Sequence, residues 1–178
     1  DLIEAMRPEY EAIIAAGFDL QLDAPDLAMA AHTGFQGLSE AEFLNRAEQN
    51  VEALNAATAN IPPERMRMHI CWGNYEGPHD HDIALEKVMG IILKSRATRL
   101  LFEAANPRHE HEWIVWRDAK LTEDKVLVPG VVAAQAALSP RLGAAGLGDP
   151  LSSLLETSLD FARGRPVARP RDLLLQLE

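Results

Sequence analysis

One cysteine occurs in the chain, Cys71, and it stands two positions after a histidine in "RMRMHICWGNYEGPH", Arg65 to His79. On an extended strand, residues two apart point to the same face, so His69 and Cys71 can present an imidazole and a thiolate to one metal ion. Two carboxylates stand in comparable places: Asp23 closes "FDLQLD" and Glu103 closes "LLFE". Zinc accepts imidazole, thiolate and carboxylate together, and His69, Cys71 and Glu103 supply one of each, leaving a fourth position for water or substrate. Taken alone, an H-x-C pair is most often structural, since cysteine is among the most buried residue types. Glu103 alone would cap a loop and Asp23 alone would begin a turn. Their joint occurrence at equivalent strand ends is what points to a shared site. His79 and His81 in "GPHDHD", and His109 and His111 in "NPRHEHEW", have polar, helix-initiating surroundings and read as solvated or capping residues. Trp72, Trp113 and Trp116 read as packing residues.

The elements that must position these groups follow from periodicity. From Leu2 to Ala16 apolar residues recur at helical spacing, and Gly17 offers a C-terminal stop. Phe18, Leu20 and Leu22 then alternate with Asp19, Gln21 and Asp23 until Pro25 forbids further ladder donation. Ser39 and Glu42 make a capping-box pattern ahead of the stripe Phe43, Ala47, Val51 and Leu54, and "RMRMHIC" is the next strand. "DIALEKVMGIILKS" followed by "RLLFEA" is a third helix-strand round, and "EHEWIVWRDA" followed by "KVLVPGVV" a fourth. Such alternation predicts an α/β fold with parallel strands near Asp19–Asp23, Arg67–Cys71, Arg99–Glu103 and Lys125–Val128, lying side by side. Asp23, His69 and Glu103 would then share the C-terminal edge, where strand-to-helix loops gather binding groups.

Hydrophobic residues make up 47% and charged residues 25% of the 178 positions, which fits a globular domain with a sizeable core. A net charge of −10 argues against nucleic acid or an anionic membrane as partner, because both reward clustered Lys and Arg. No apolar run is long enough to span a bilayer and no leader pattern opens the chain, so the expected location is cytoplasmic. The chain opens on Asp1 in place of Met, which suggests a fragment, a processed chain or an incomplete reading frame. From Ala133 to Glu178 there is no Lys, Trp or His, and Ala, Leu, Gly, Arg and Pro dominate. The expected organisation is therefore a catalytic segment over 1–132 and an atypical tail over 133–178, with the tail read as a shifted frame or a rearrangement.

With these motifs in place, the sequence resembles the C-terminal catalytic domain of cobalamin-independent methionine synthase and its shorter stand-alone relatives, which include epoxyalkane:coenzyme M transferase. "LQLDAPDLAM" resembles the strand whose aspartate binds the amino group of homocysteine, which falls on Asp23. "HICWGNYEGPH" resembles the H-x-C zinc motif, with metal ligands at His69 and Cys71. "LLFEAANPRHEHEW" resembles the strand bearing a glutamate ligand or near-ligand, at Glu103. The resemblance covers about Asp1 to Val132 and implies a parallel-strand segment of a TIM-type (β/α)8 barrel, of which the first half is missing. The family's last zinc ligand is a second cysteine, and this chain has none.

What the resemblance implies is a zinc-dependent methyltransferase of methionine biosynthesis, with Zn2+ as cofactor and a small-molecule thiol and a methyl donor as partners. Zinc would present the thiol as a thiolate, which attacks the N5-methyl group of 5-methyltetrahydrofolate. The alternatives are an alkyltransferase of the coenzyme M type, in which the thiolate opens an epoxide, and a non-catalytic truncated fragment. An incomplete barrel leaves strand edges exposed and predicts self-association.

Overall fold

A computed structural model describes residues 2–73, 78–104 and 108–130. Residues 74–77 and 105–107 and everything from Val131 onward, including the tail read from Ala133, lie outside the described residues. Among those described, two compact units form: one holds everything up to Leu100 together with Leu121–Lys125, and the other holds the rest. No helix of the described residues is long and apolar enough to cross a membrane.

Four strands, β1 (Leu20–Ala24), β2 (Met66–Ile70), β3 (Arg99–Glu103) and β4 (Val126–Gly130), form a parallel sheet in the order β1-β2-β3-β4. The α/β class and the side-by-side order agree with the sequence reading. β3 keeps the limits read from the sequence, and the other three strands move by a residue or two: Cys71 follows the last residue of β2 instead of lying within it. The alternation read from the sequence appears directly in burial. Leu20, Leu22 and Ala24 are buried while Gln21 and Asp23 are exposed, and Met66, Met68 and Ile70 are buried while Arg67 and His69 are half-buried.

In the first unit, α1 (Leu2–Ala15) ends where Gly17 takes a φ of +92°. The Phe18 amide bonds the Ile13 carbonyl at 3.2 Å and the Gly17 amide bonds that of Ile14 at 3.0 Å, which is the Schellman closure a glycine permits. A short helix, α2 (Met29–His32), stands where the sequence shows no periodic pattern. Helix α3 (Glu40–Ala57) starts on the expected capping box: the Ser39 hydroxyl accepts from the Glu42 amide, and the Glu42 carboxylate accepts from the Ser39 amide at 2.8 Å. Its buried face is Phe43, Ala47 and Val51. Helix α4 (Leu85–Ile92) buries Leu85, Val88, Met89 and Ile92 and packs beside α3. It begins later than the sequence pattern suggests, because Asp82 is held by His79 and Ala84 stays extended at ψ 139°. Each such buried aliphatic side chain contributes about 1.5–3 kcal/mol, so these faces supply most of the unit's stability.

Charged groups also fasten the unit. Asp19 accepts from Arg65 Nε at 2.5 Å and from Arg99 Nη1 at 3.0 Å, tying the starts of three strands together, and chiefly the Arg65 bond holds its carboxyl below the usual range. Lys125, 5% exposed, donates through Nζ to the carbonyls of Ser95 and Ala97 at 2.5 and 2.8 Å.

In the second unit Phe102 stacks on Trp116 with ring centres 4.4 Å apart. The expected helix over Glu110–Ala119 resolves into a 3-10 turn, Glu110–Glu112, and α5 (Trp113–Asp118). At its start His109 is buried with Nδ1 3.0 Å from the Glu112 carboxylate. β3 and β4 approach closely here: the Ala104 amide bonds the Gly130 carbonyl at 3.0 Å, and a Cβ on Gly130 would stand 3.2 Å from the Phe102 carbonyl oxygen.

Candidate metal centre at the ends of two strands

The parallel register sets Asp23 of β1 directly beside His69 of β2. Because Leu22, Ala24, Met68 and Ile70 all turn to the buried face, Asp23 and His69 are left together on the other. Their contact is direct: His69 Nδ1 lies 2.7 Å from Asp23 Oδ1. The imidazole ring is therefore oriented by a carboxylate through one nitrogen, which leaves Nε2 as its remaining donor atom.

Cys71 reaches the same place from just beyond β2. Its carbonyl accepts from the Met29 amide at 3.0 Å, so the first residue of α2 pins the chain as it leaves the sheet. Its sulfur accepts the Gly73 N–H at 3.2 Å. Gly73 has a φ of +80°, which favours glycine, and a Cβ there would stand 2.9 Å from Met29 Sδ, so that side chain would have to shift.

One potential ligand atom from each of Asp23, His69 and Cys71 lies within 4.8 Å of the other two. The residues fit zinc on donor chemistry: one sulfur, one imidazole and one carboxylate, all on partly exposed side chains that can close on an ion by small rotations. No protein-family model, curated protein or solved structure matches this chain. Glu103 is the last residue of β3, half-buried, and alternates with the buried Leu100 and Phe102; it belongs to the second unit. The three groups that converge are Asp23, His69 and Cys71.

The histidines outside the H-x-C pair divide. His81 is exposed, as expected, whereas His79 is not a solvated residue: its side chain is 3% exposed, its Nδ1 lies 2.8 Å from Asp82 Oδ2, and its ring stacks on His32. His109 is buried as well, while His111 is exposed. His32 carries no signal in the sequence, because it ends a four-residue helix with no periodic pattern around it. Trp72 and Trp116 are buried, in line with a packing role, and Trp72 Nε1 donates to the Ile83 carbonyl at 3.1 Å. A cavity of about 220 Å³ is lined by Met6 and Tyr10 of α1, Val51 and Leu54 of α3, and Asp23.

Proposed function

We propose that the described strands are a segment of a TIM-type (β/α)8 barrel of the cobalamin-independent methionine synthase kind. In this reading His69 and Cys71 hold a zinc ion, and the chain binds a homocysteine-like thiol for methyl transfer from 5-methyltetrahydrofolate. The observation that carries the reading is the convergence of Asp23, His69 and Cys71 at the C-terminal ends of two adjacent parallel strands. Zinc, when bound, would lower the pKa of the substrate thiol so that a thiolate exists at neutral pH.

The protein's own groups have separable tasks. Cys71 supplies the soft sulfur donor, held in place by the Gly73 N–H. His69 supplies the imidazole, and Asp23 fixes that ring through Nδ1. The Asp23 carboxylate has acceptor capacity beyond this one bond and a side chain 60% exposed, so it can also receive the ammonium group of an amino-acid thiol. In the transfer itself the substrate sulfur forms a bond to the methyl carbon as the carbon–N5 bond breaks, and the electron pair stays on N5 of the departing tetrahydrofolate. A carboxylate at position 23 repels the sulfonate of coenzyme M, which favours the amino-acid thiol over the alkyltransferase reading.

Calorimetric titration into the zinc-loaded chain tests this. Homocysteine should bind, 3-mercaptopropionate should bind more weakly, and Asp23→Asn should remove most of the difference between them. Methionine formation by the chain alone should be negligible, because holding the donor in line contributes about 7 kcal/mol or more and draws on the rest of a barrel. Failure to bind either zinc or thiol would favour the non-catalytic reading.

A further inference from the structure

A second group of metal-binding side chains lies in the first unit, apart from the H-x-C pair. We propose that His32, Asp80 and His81 form a separate site for a divalent first-row transition-metal ion, with two imidazoles and one carboxylate as ligands. One ligand atom from each lies within 4.8 Å of the other two. His32 Nδ1 faces Asp80 Oδ1 at 3.8 Å, and His81 Nδ1 is 2.8 Å from the same oxygen. Two bonds of about 2.0–2.2 Å meeting at one ion span a gap of that first size, whereas 3.8 Å is too long for a hydrogen bond.

Three features favour a ligand over a chance meeting of side chains. His32 is only 13% exposed in its side chain, and its Nδ1 is buried with no hydrogen-bond partner among the described residues. An imidazole nitrogen in that position is costly unless something polar reaches it. The ring is also held in place, stacked on His79 with centres 4.8 Å apart and planes 6° from parallel, while His79 is itself anchored to Asp82. The other two ligands lie on the open side: Asp80 and His81 are 70% and 52% exposed, so they can swing onto an ion that enters from solvent.

The donor set selects the ion class. Two imidazoles and a carboxylate without sulfur suit Zn2+, Ni2+, Co2+ or Cu2+ over Mg2+ or Ca2+, which demand oxygen. Three protein ligands leave positions for water. This site does not depend on the methyltransferase reading.

Equilibrium dialysis of the full chain against Zn2+, with metal content measured in the protein, tests the proposal. The Asp80→Ala/His81→Ala double variant removes two exposed side chains, so its fold should be retained, which circular dichroism checks. It should bind one ion fewer than the parent while Cys71-dependent binding persists, and single replacement of either residue should weaken this site at least about tenfold. With Co2+ added to the Cys71→Ser variant, visible bands without thiolate charge transfer should appear and then vanish when Asp80→Ala/His81→Ala is added. Metal content unchanged in the double variant would overturn the proposal. If the lost ion instead follows Cys71→Ser alone, only the methyltransferase site binds metal; if it follows only Asp80→Ala/His81→Ala, the present site stands and the methyltransferase reading falls.

Discussion

At Cys71 three different devices meet: the sulfur takes the Gly73 N–H, the carbonyl takes the Met29 amide, and the strand before it aims the chain. Replacing the sulfur by a hydroxyl removes the softest donor, so Cys71→Ser should abolish thiolate-to-cobalt charge transfer, and His69→Ala should weaken metal binding while leaving that transition present; titration with Co2+ under an absorbance spectrometer reads both. Gly73→Ala puts a Cβ at a positive φ and against Met29 Sδ. It should destabilise the fold by about 1–2 kcal/mol in urea denaturation and weaken metal binding together, because the residue shapes the loop that holds the sulfur. The two-residue period places His69 on β2, whereas Cys71 follows the strand and is fixed by the Met29 amide, a contact the spacing does not announce. The contact of His69 with Asp23 was not legible in the sequence, since 46 residues separate them and only the register of β1 on β2 brings them side by side. His32 was invisible for the same reason: its partners come from the far side of β2 in sequence, and its own helix is too short to leave a pattern.

Among the elements, those whose ends carry local chemistry match the sequence best. α1 stops at Gly17 and α3 starts at Ser39 because in each case the stabilising bonds lie within a few residues. α4 and α5 fall short of their patterns where a side-chain pair, His79 with Asp82 and His109 with Glu112, holds the preceding chain. Lys125, just before β4, is an element-scale lock that no pattern announces, since its partners Ser95 and Ala97 are carbonyls remote in sequence. Lys125→Met should cost about 1–3 kcal/mol by leaving those buried acceptors without this donor. Burial pushes the Lys125 ammonium below its ordinary 10.5, against a smaller opposing pull from Asp124. The unfolded chain therefore binds more protons than the folded one between that lowered value and 10.5, and stability gains with rising pH across this window. Chemical denaturation from neutral to alkaline pH should show the gap between parent and Lys125→Met widening, and a gap that narrows would remove the buried-ammonium account.

For the molecule as a whole, the parallel sheet has β1 and β4 as its outermost described strands. If these edges belong to an unclosed barrel, their unpaired backbone groups will seek another chain, while the net charge of −10 opposes that contact. Sedimentation velocity should thus show self-association that strengthens as salt rises from 0.05 to 0.5 M, where screening shortens to roughly 4 Å. Weaker association at high salt would argue for ionic contacts between copies and against edge pairing. The strand order carries a further consequence, for synthesis. Spatial order equals chain order, so each strand pairs with the one made just before it. A chain leaving the ribosome would meet β1 already emerged when β2 appears, and β2 when β3 appears, so assembly can advance from the N-terminus one crossover at a time without waiting for a distant partner. Such a chain would gain its first paired strands, and with them the meeting of Asp23 with His69, well before translation ends.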